Sequence, residues 1–127
     1  MPARYGAITL AFALGMSAAV LLGQGTQTLP DAIKADSKTY SVEFENDVVR
    51  VLRVRLAPGV STPRHSHAAY CAIEISDSSL RELNGPVSES KAGQVFCGDA
   101  TSHAPSNVGK AVAESIVVEF KGRQRAR

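Results

Sequence analysis

The chain has three histidines, and two of them lie in the triplet His65-Ser66-His67. On an extended backbone, residues i and i+2 point to the same side, so the two imidazoles converge at about 6 to 7 Å along the strand. Two imidazoles in this arrangement are suitable ligands for Zn, Fe, Mn, Cu or Ni. The same triplet also occurs by chance in loops, so the pair alone only weakly predicts a metal site.

The elements that must position these side chains are short strands separated by turn residues. Strands are predicted at residues 40–45, 48–56, 71–76, 79–83, 94–97 and 114–120. A hairpin is expected around Asp77-Ser78, and Asn84-Gly85 is a strong turn signal. In the second strand, Leu52, Val54 and Leu56 share one face. Many short strands around one core indicate an all-β sandwich or barrel.

Two motifs on these strands resemble those of the cupin superfamily. The first cupin motif has a glycine, five residues and His-x-His, and the second has a glycine, a turn, a histidine and then an asparagine. The matching residues are Gly59, His65, His67, Gly93, His103 and Asn107. The resemblance covers roughly residues 42–120. It implies one cupin-type β-barrel, a double-stranded β-helix or jelly roll, in which His65, His67 and His103 hold a divalent metal ion.

The sequence departs from the cupin pattern in both motifs. At the glutamate position of the first stands Cys71 or Ala72, and the nearest carboxylate, Glu74, comes two or three residues too late. The Pro-x-Gly of the second is replaced by Asp99-Ala100-Thr101. Cupins with only three histidines include the iron-dependent thiol dioxygenases, so the resemblance still allows a metal. The alternative is a metal-free barrel that keeps its histidines as hydrogen-bonded wall residues.

The chain has two cysteines, Cys71 and Cys97. In the cupin topology the strand after the first motif pairs antiparallel with the strand of the second motif. The resemblance therefore implies that the two are cross-strand neighbours, and an exported protein is expected to join them in a disulfide. Two alternatives remain: Cys71 is a fourth, thiolate ligand, or both thiols are free and buried.

Four other residues are candidates for the pocket. Arg50 either points inward, toward a carboxylate-bearing ligand, or curls out to solvent. Tyr70 and Phe96 either line the cavity or belong to the core. Asn107 is expected to orient the turn of His103 through side-chain to backbone hydrogen bonds, or to support His103 itself.

Length and charge argue against a second domain and against binding of nucleic acid. At 127 residues and 44% hydrophobic, the chain has room for one compact domain. Its formal net charge is +2, with basic residues mostly interleaved with acidic ones, so no concentrated basic face for nucleic acid is expected. Residues 123–127 are interpreted as a solvated basic tail.

The N-terminal segment is typical of an export signal. Arg4 is the only charge before Asp31, and an apolar stretch runs from residue 7 to residue 22. We therefore interpret residues 1–25 as a signal peptide cleaved after Gly25, with Ala19 as a second choice, or else as an uncleaved membrane anchor. Cleavage would leave no stable membrane span, and the folded part would be periplasmic or extracellular.

The remaining mature chain divides at residue 39 in this interpretation. Residues 26–38 are polar and show no sustained period, so they are expected to be a leader, with the barrel domain over residues 39–122.

Two classes of function fit these patterns. The favoured one is a non-catalytic exported module that binds a metal or small ligand, because the family glutamate is missing and no further acid or base is expected beside the histidines. The other is a metal-dependent enzyme, iron-containing and dioxygenase-like, acting on a small organic substrate. A homodimer is expected by family analogy alone.

Overall fold

The structure is a computed structural model and describes residues 28–122. This part of the chain contains one short helix, α1 (Ala32–Ala35), and ten strands. The strands are β1 (Tyr40–Glu45), β2 (Val49–Leu56), β3 (His65–His67), β4 (Tyr70–Glu74), β5 (Ser78–Glu82), β6 (Val87–Ser90), β7 (Val95–Gly98), β8 (Thr101–His103), β9 (Pro105–Asn107) and β10 (Ala113–Phe120). The all-β prediction is confirmed.

The strands form three sheets in which every pair is antiparallel. The largest has the order β1-β2-β10-β4-β7, the second is β6-β5-β9, and the third is the pair β3-β8. The chain therefore passes repeatedly from one sheet to another. This places the two histidine strands in a small sheet of their own beside the five-stranded one.

The predicted hairpin around Asp77-Ser78 is wrong. β4 pairs with β10 and β7, whereas β5 pairs with β6 and β9, so the chain changes sheets between them. A period of two residues indicates a strand but does not identify its partner. The turn at Asn84-Gly85 is confirmed, because it connects the paired strands β5 and β6.

The core lies on the inner face of the five-stranded sheet. Leu52 is fully buried there, in a cluster with Ala32, Tyr40 and Val117. Leu56 is also buried, so the predicted apolar face of β2 is confirmed. Burying a leucine of this kind contributes about 1.5–3 kcal/mol relative to leaving it exposed.

Part of the expected leader packs on the barrel instead of preceding it. Ala32 is fully buried in the core cluster, and the amide of Ser66 donates to the carbonyl of Pro30 at 2.9 Å. The segment is too short to show a helical period, so its role depends on contacts with distant residues. The ordered fold therefore begins before residue 39.

The predicted signal peptide, residues 1–25, and the basic tail, residues 123–127, lie outside the described residues. Within residues 28–122, no helix is long and apolar enough to cross a membrane.

Candidate metal centre

The pairing of β3 with β8 brings the three histidines together. His65 lies directly opposite His103 in the register, and His67, two residues along β3, points to the same side as His65. The ligand nitrogens of the three rings all lie within 4.8 Å of one another. The three histidines named from the sequence therefore form one group that could hold a metal ion.

Two of the imidazoles have a defined tautomer. Nδ1 of His65 lies 2.8 Å from the carbonyl oxygen of Pro63, and Nδ1 of His67 lies 2.6 Å from Oε1 of Glu119. A carbonyl or an ionised carboxylate only accepts hydrogen bonds, so each Nδ1 carries the proton and donates. In the neutral ring, Nε2 is then left with a free lone pair.

When both rings are neutral, the two free nitrogens face one another as acceptors. Nε2 of His65 and Nε2 of His67 are 3.1 Å apart, and both residues are buried. Two lone pairs at this distance repel unless a proton or a cation lies between them. Nε2 of His103 is also buried and has no hydrogen-bond partner among residues 28–122. Buried polar atoms are normally satisfied, so this donor set fits a metal ion.

A second carboxylate lies behind His103. Nδ1 of His103 is 3.0 Å from Oε1 of Glu82. The other oxygen of Glu82 accepts a hydrogen bond from the amide of Ala104 at 3.0 Å. This places negative charge on the far side of the ring from Nε2 of His103.

Glu119 is itself held in place by Arg50. Nε of Arg50 donates to Oε2 of Glu119 at 2.7 Å, and a second guanidinium nitrogen lies at the same distance. Burial opposes ionisation of Glu119, but the hydrogen bonds from His67 and Arg50 outweigh it and hold the pKa of this carboxyl below its ordinary value. Arg50 points inward, as one interpretation predicted, but its guanidinium is engaged by Glu119 and does not line the cavity.

Burial keeps two of the histidines neutral. It lowers the pKa of His103 to about 4, with repulsion from the neighbouring His67 and His65 adding to the effect. Burial also lowers the pKa of His65. Both rings are therefore uncharged near neutral pH, which is the form that binds metal.

A cavity of about 220 Å³ opens beside the histidines. Its lining residues are Tyr40, Val54, His67, Tyr70, Ala72, Glu74, Leu80, Phe96, His103, Ser115 and Val117. Most of this surface is apolar or aromatic, as in binding sites for small organic molecules. Of the two positions considered for Tyr70 and Phe96, the structure places both in the wall of this cavity, with Phe96 46% exposed.

Solved structures share this architecture. A cupin domain from Bordetella pertussis matches with a TM-score of 0.58 and 22% identity, over 77% of this chain and 100% of that one. An RmlC-like cupin family protein from Methanocaldococcus jannaschii, with a double-stranded β-helix fold, matches with a TM-score of 0.52 and 21% identity, over 67% and 83% of the two chains. This protein has the cupin fold.

A third solved structure also has this fold, whereas the comparisons of sequence found no match. An uncharacterized conserved protein from Klebsiella pneumoniae with a double-stranded β-helix domain matches with a TM-score of 0.54 and 22% identity, over 66% of this chain and 76% of that one. No protein-family model matches the sequence, and no curated protein matches it. At these identities the likeness shows the cupin fold alone.

The two cysteines of this cupin barrel are joined. Cys71 on β4 lies directly opposite Cys97 on β7, with their Cα atoms 4.0 Å apart, and the structure contains the disulfide. Tyr70 and Ala72 line the cavity, so Cys71 between them points to the other face of the sheet. The alternatives of a thiolate ligand at Cys71 and of two free thiols are therefore wrong for this structure.

Asn107 does not support His103. Its side-chain amide donates to the carbonyls of Leu56 and Ala111, both at 2.8 Å, and its Oδ1 accepts from the amide of Gly109 at 2.9 Å. The predicted side-chain to backbone bonding is present, but it joins the end of β2 to the turn after β9. The residue stabilises the barrel through these bonds, and none of them joins it to a histidine.

The expectation that no further acid or base lies beside the histidines is wrong, because Glu119 and Glu82 both do. Glu119 could have been found from the alternation of inward-facing and outward-facing residues in β10. The inner face of that strand carries Val117 and Glu119, both buried, whereas Phe120 is 43% exposed on the outer face. A carboxylate in phase with a buried valine needs a partner, and the sequence does not identify which one.

Proposed function

We propose that this cupin binds a divalent transition-metal ion through Nε2 of His65, His67 and His103. The observation that supports this most is the 3.1 Å approach of two Nε2 atoms whose rings carry their protons on Nδ1. A cation between them converts a repulsion into two bonds. Three imidazoles suit Zn, Cu, Fe or Ni, whereas Mn prefers additional carboxylates.

The surrounding residues prepare the site for the ion. Glu119 fixes the orientation of His67 through a hydrogen bond, and Arg50 holds Glu119. Glu82 lies 3.0 Å from Nδ1 of His103. Three protein ligands leave a coordination position open, and a bound ion there would supply Lewis-acid or oxygen-activating chemistry. The apolar wall of the cavity would limit the access of water to that position.

The role that fits best is binding of a metal and a small ligand in an exported protein. Export is supported by the signal-like pattern of residues 1–25 and by the disulfide between Cys71 and Cys97. Glu119 is engaged by both His67 and Arg50, so it is not free to act as a base. This favours binding over catalysis.

An enzyme is the second candidate, and one residue favours it. Glu74 lines the same cavity as His67 and His103, and burial raises the pKa of its carboxyl. A carboxylic acid with a raised pKa beside an open metal position is suited to proton transfer. Oxygen consumption by the iron-loaded protein with a panel of thiols and diketones would support this second candidate.

Metal analysis of the purified protein tests the proposal. We expect about one ion per chain after loading with Zn, Fe, Cu, Ni or Mn and removal of the excess, and a loss of that ion in His67→Gln and His103→Gln. Ser102→Ala is the matched control, because Ser102 lies beside His103 on β8 and contacts Arg64 at the surface. A folded wild-type protein that retains none of these ions would overturn the proposal.

A further inference from the structure

Glu74 differs from every other glutamate in the five-stranded sheet. The others each form an ion pair with an arginine or a lysine: Glu43 with Arg53, Glu45 with Lys121, Glu114 with Arg53 and Arg55, and Glu119 with Arg50. The carboxyl of Glu74 has no hydrogen bond and no ion pair among residues 28–122. It is partly buried in the cavity wall.

The environment of Glu74 leaves its charge uncompensated. Burial raises the pKa of this carboxyl, and no donor or cation among the described residues offsets that effect. The same cavity contains no lysine or arginine among its lining residues. A partly buried carboxylate of this kind is stabilised by a cation supplied from outside the chain.

The strand register arranges the cavity wall in three rows. Ser115 on β10 lies opposite Glu74, so a hydroxyl and a carboxyl share the first row. Val117 lies opposite Ala72, and Ala72 lies opposite Phe96 on β7, which makes the second row apolar.

The third row leads to the metal centre. It contains Glu119 opposite Tyr70, and the Tyr70 ring centroid lies 5.9 Å from that of His67. Tyr70 and Glu74 are four residues apart on β4, or about 13 Å along an extended strand. The wall therefore has a polar, acidic end, an apolar middle and a histidine end.

We propose that this cavity binds a small primary amine whose ammonium group pairs with Glu74 and whose apolar body packs on Ala72, Val117 and Phe96. This specifies the small ligand of the proposed function and rests on that function for the role of the histidine end. An ammonium group matches the uncompensated carboxylate and can donate to the Ser115 hydroxyl as well. The volume of about 220 Å³ restricts the ligand to a small one.

Calorimetric titration of the metal-loaded protein at pH 7.5 tests this with three compounds of the same carbon skeleton: 4-phenylbutylamine, 4-phenylbutanol and 4-phenylbutanoate. We expect the amine to bind about tenfold more tightly than the alcohol, because it forms a charge-assisted hydrogen bond with Glu74. The carboxylate compound should bind least, because it meets a like charge. Equal binding of the amine and the alcohol would overturn the inference.

The variant Glu74→Gln should lower the affinity for the amine to that for the alcohol and leave the alcohol unchanged. It removes an unpaired, partly buried charge, so we expect it to fold at least as stably as the wild type, and a melting curve checks this. Glu89→Gln makes the same change of net charge at an exposed position and should alter neither affinity. If the amine binds Glu74→Gln as tightly as wild type, its nitrogen lies elsewhere, such as on the metal, and the inference is wrong.

A second variant locates the ligand independently of charge. Ala72→Leu adds side-chain volume to the apolar middle of the cavity and should weaken the amine and the alcohol equally. Unchanged affinities in Ala72→Leu would place both compounds outside the cavity and overturn the inference.

Measuring the metal content of each sample distinguishes a failure of the amine site from a failure of the proposed metal centre. Protein that holds its ion and shows no preference for the amine would overturn the amine site alone. Protein that prefers the amine through Glu74 and retains no ion would support the amine site and overturn the metal centre.

Discussion

Nδ1 of His67 and Oε1 of Glu119 lie 2.6 Å apart in the buried wall of the cupin barrel. Their residues are 52 positions apart in the chain, and each is almost fully buried. The contact holds the proton of His67 on Nδ1 and thereby aims the Nε2 lone pair at the other two histidines. It connects the sheet of β10 with the small sheet of β3 and β8.

Replacing Glu119 should therefore weaken metal binding without removing a ligand. We expect Glu119→Gln to lower the affinity for the metal about 10- to 100-fold. The neutral amide oxygen accepts the hydrogen bond from Nδ1 of His67 more weakly than the carboxylate does. Competition with a chelator of known affinity measures this. Glu114→Gln, which removes a carboxylate from the outer face of the same strand, should leave the affinity unchanged, and equal losses in both variants would contradict the assignment.

The metal-free protein should lose stability as the pH falls from about 6.5 toward about 4. The pKa of His103 is about 4 in the folded chain and 6.5 in its unperturbed state, so in this window the unfolded chain binds the extra proton. Stability then rises with pH, by on the order of 1–3 kcal/mol across the window. Denaturant titrations at several pH values in the presence of a chelator measure the slope, and His103→Gln should flatten it. A slope unaffected by this substitution would show that other groups cause it.

Removing the disulfide should destabilise the barrel but leave metal binding unchanged. Cys71 and Cys97 are separated by 26 residues, and a cross-link of this span contributes about 2–4 kcal/mol. The double variant Cys71→Ser with Cys97→Ser should therefore unfold at a lower denaturant concentration. Its metal stoichiometry, measured on the folded protein, should equal that of wild type because Cys71 points away from the cavity. Loss of the ion from the folded double variant would mean that the disulfide helps to shape the site.

Asn107→Ala should also lower the stability of the barrel, because it removes buried hydrogen bonds. The side chain makes three hydrogen bonds to backbone groups and is 1% exposed, and each buried group left without a partner costs about 1–3 kcal/mol. Thermal unfolding compared with Asn84→Ala, an exposed turn position, measures the effect. The folded variant should retain its metal, and selective loss of metal with unchanged stability would restore the predicted role beside His103.

Much of the candidate centre could be predicted because it depends on local geometry. The alternation of an extended chain places His65 and His67 on one side whatever the rest of the fold does. The cupin resemblance then identified His103 and the pairing of Cys71 with Cys97, since both follow from the order of strands in that topology.

The sequence by itself determined six of the ten strands in residues 28–122, the convergent histidine pair and the residues that could serve as ligands. Only the tertiary structure decided that Glu119 lies behind His67, that Arg50 pairs with Glu119, and that β4 and β5 belong to different sheets. The pair of Arg50 and Glu119 joins residues 69 positions apart, which are opposite each other only in the register of β2 with β10. Backbone periodicity acts over a few residues, whereas the partner of a buried charge is selected by non-local strand pairing and by the cost of burying that charge alone.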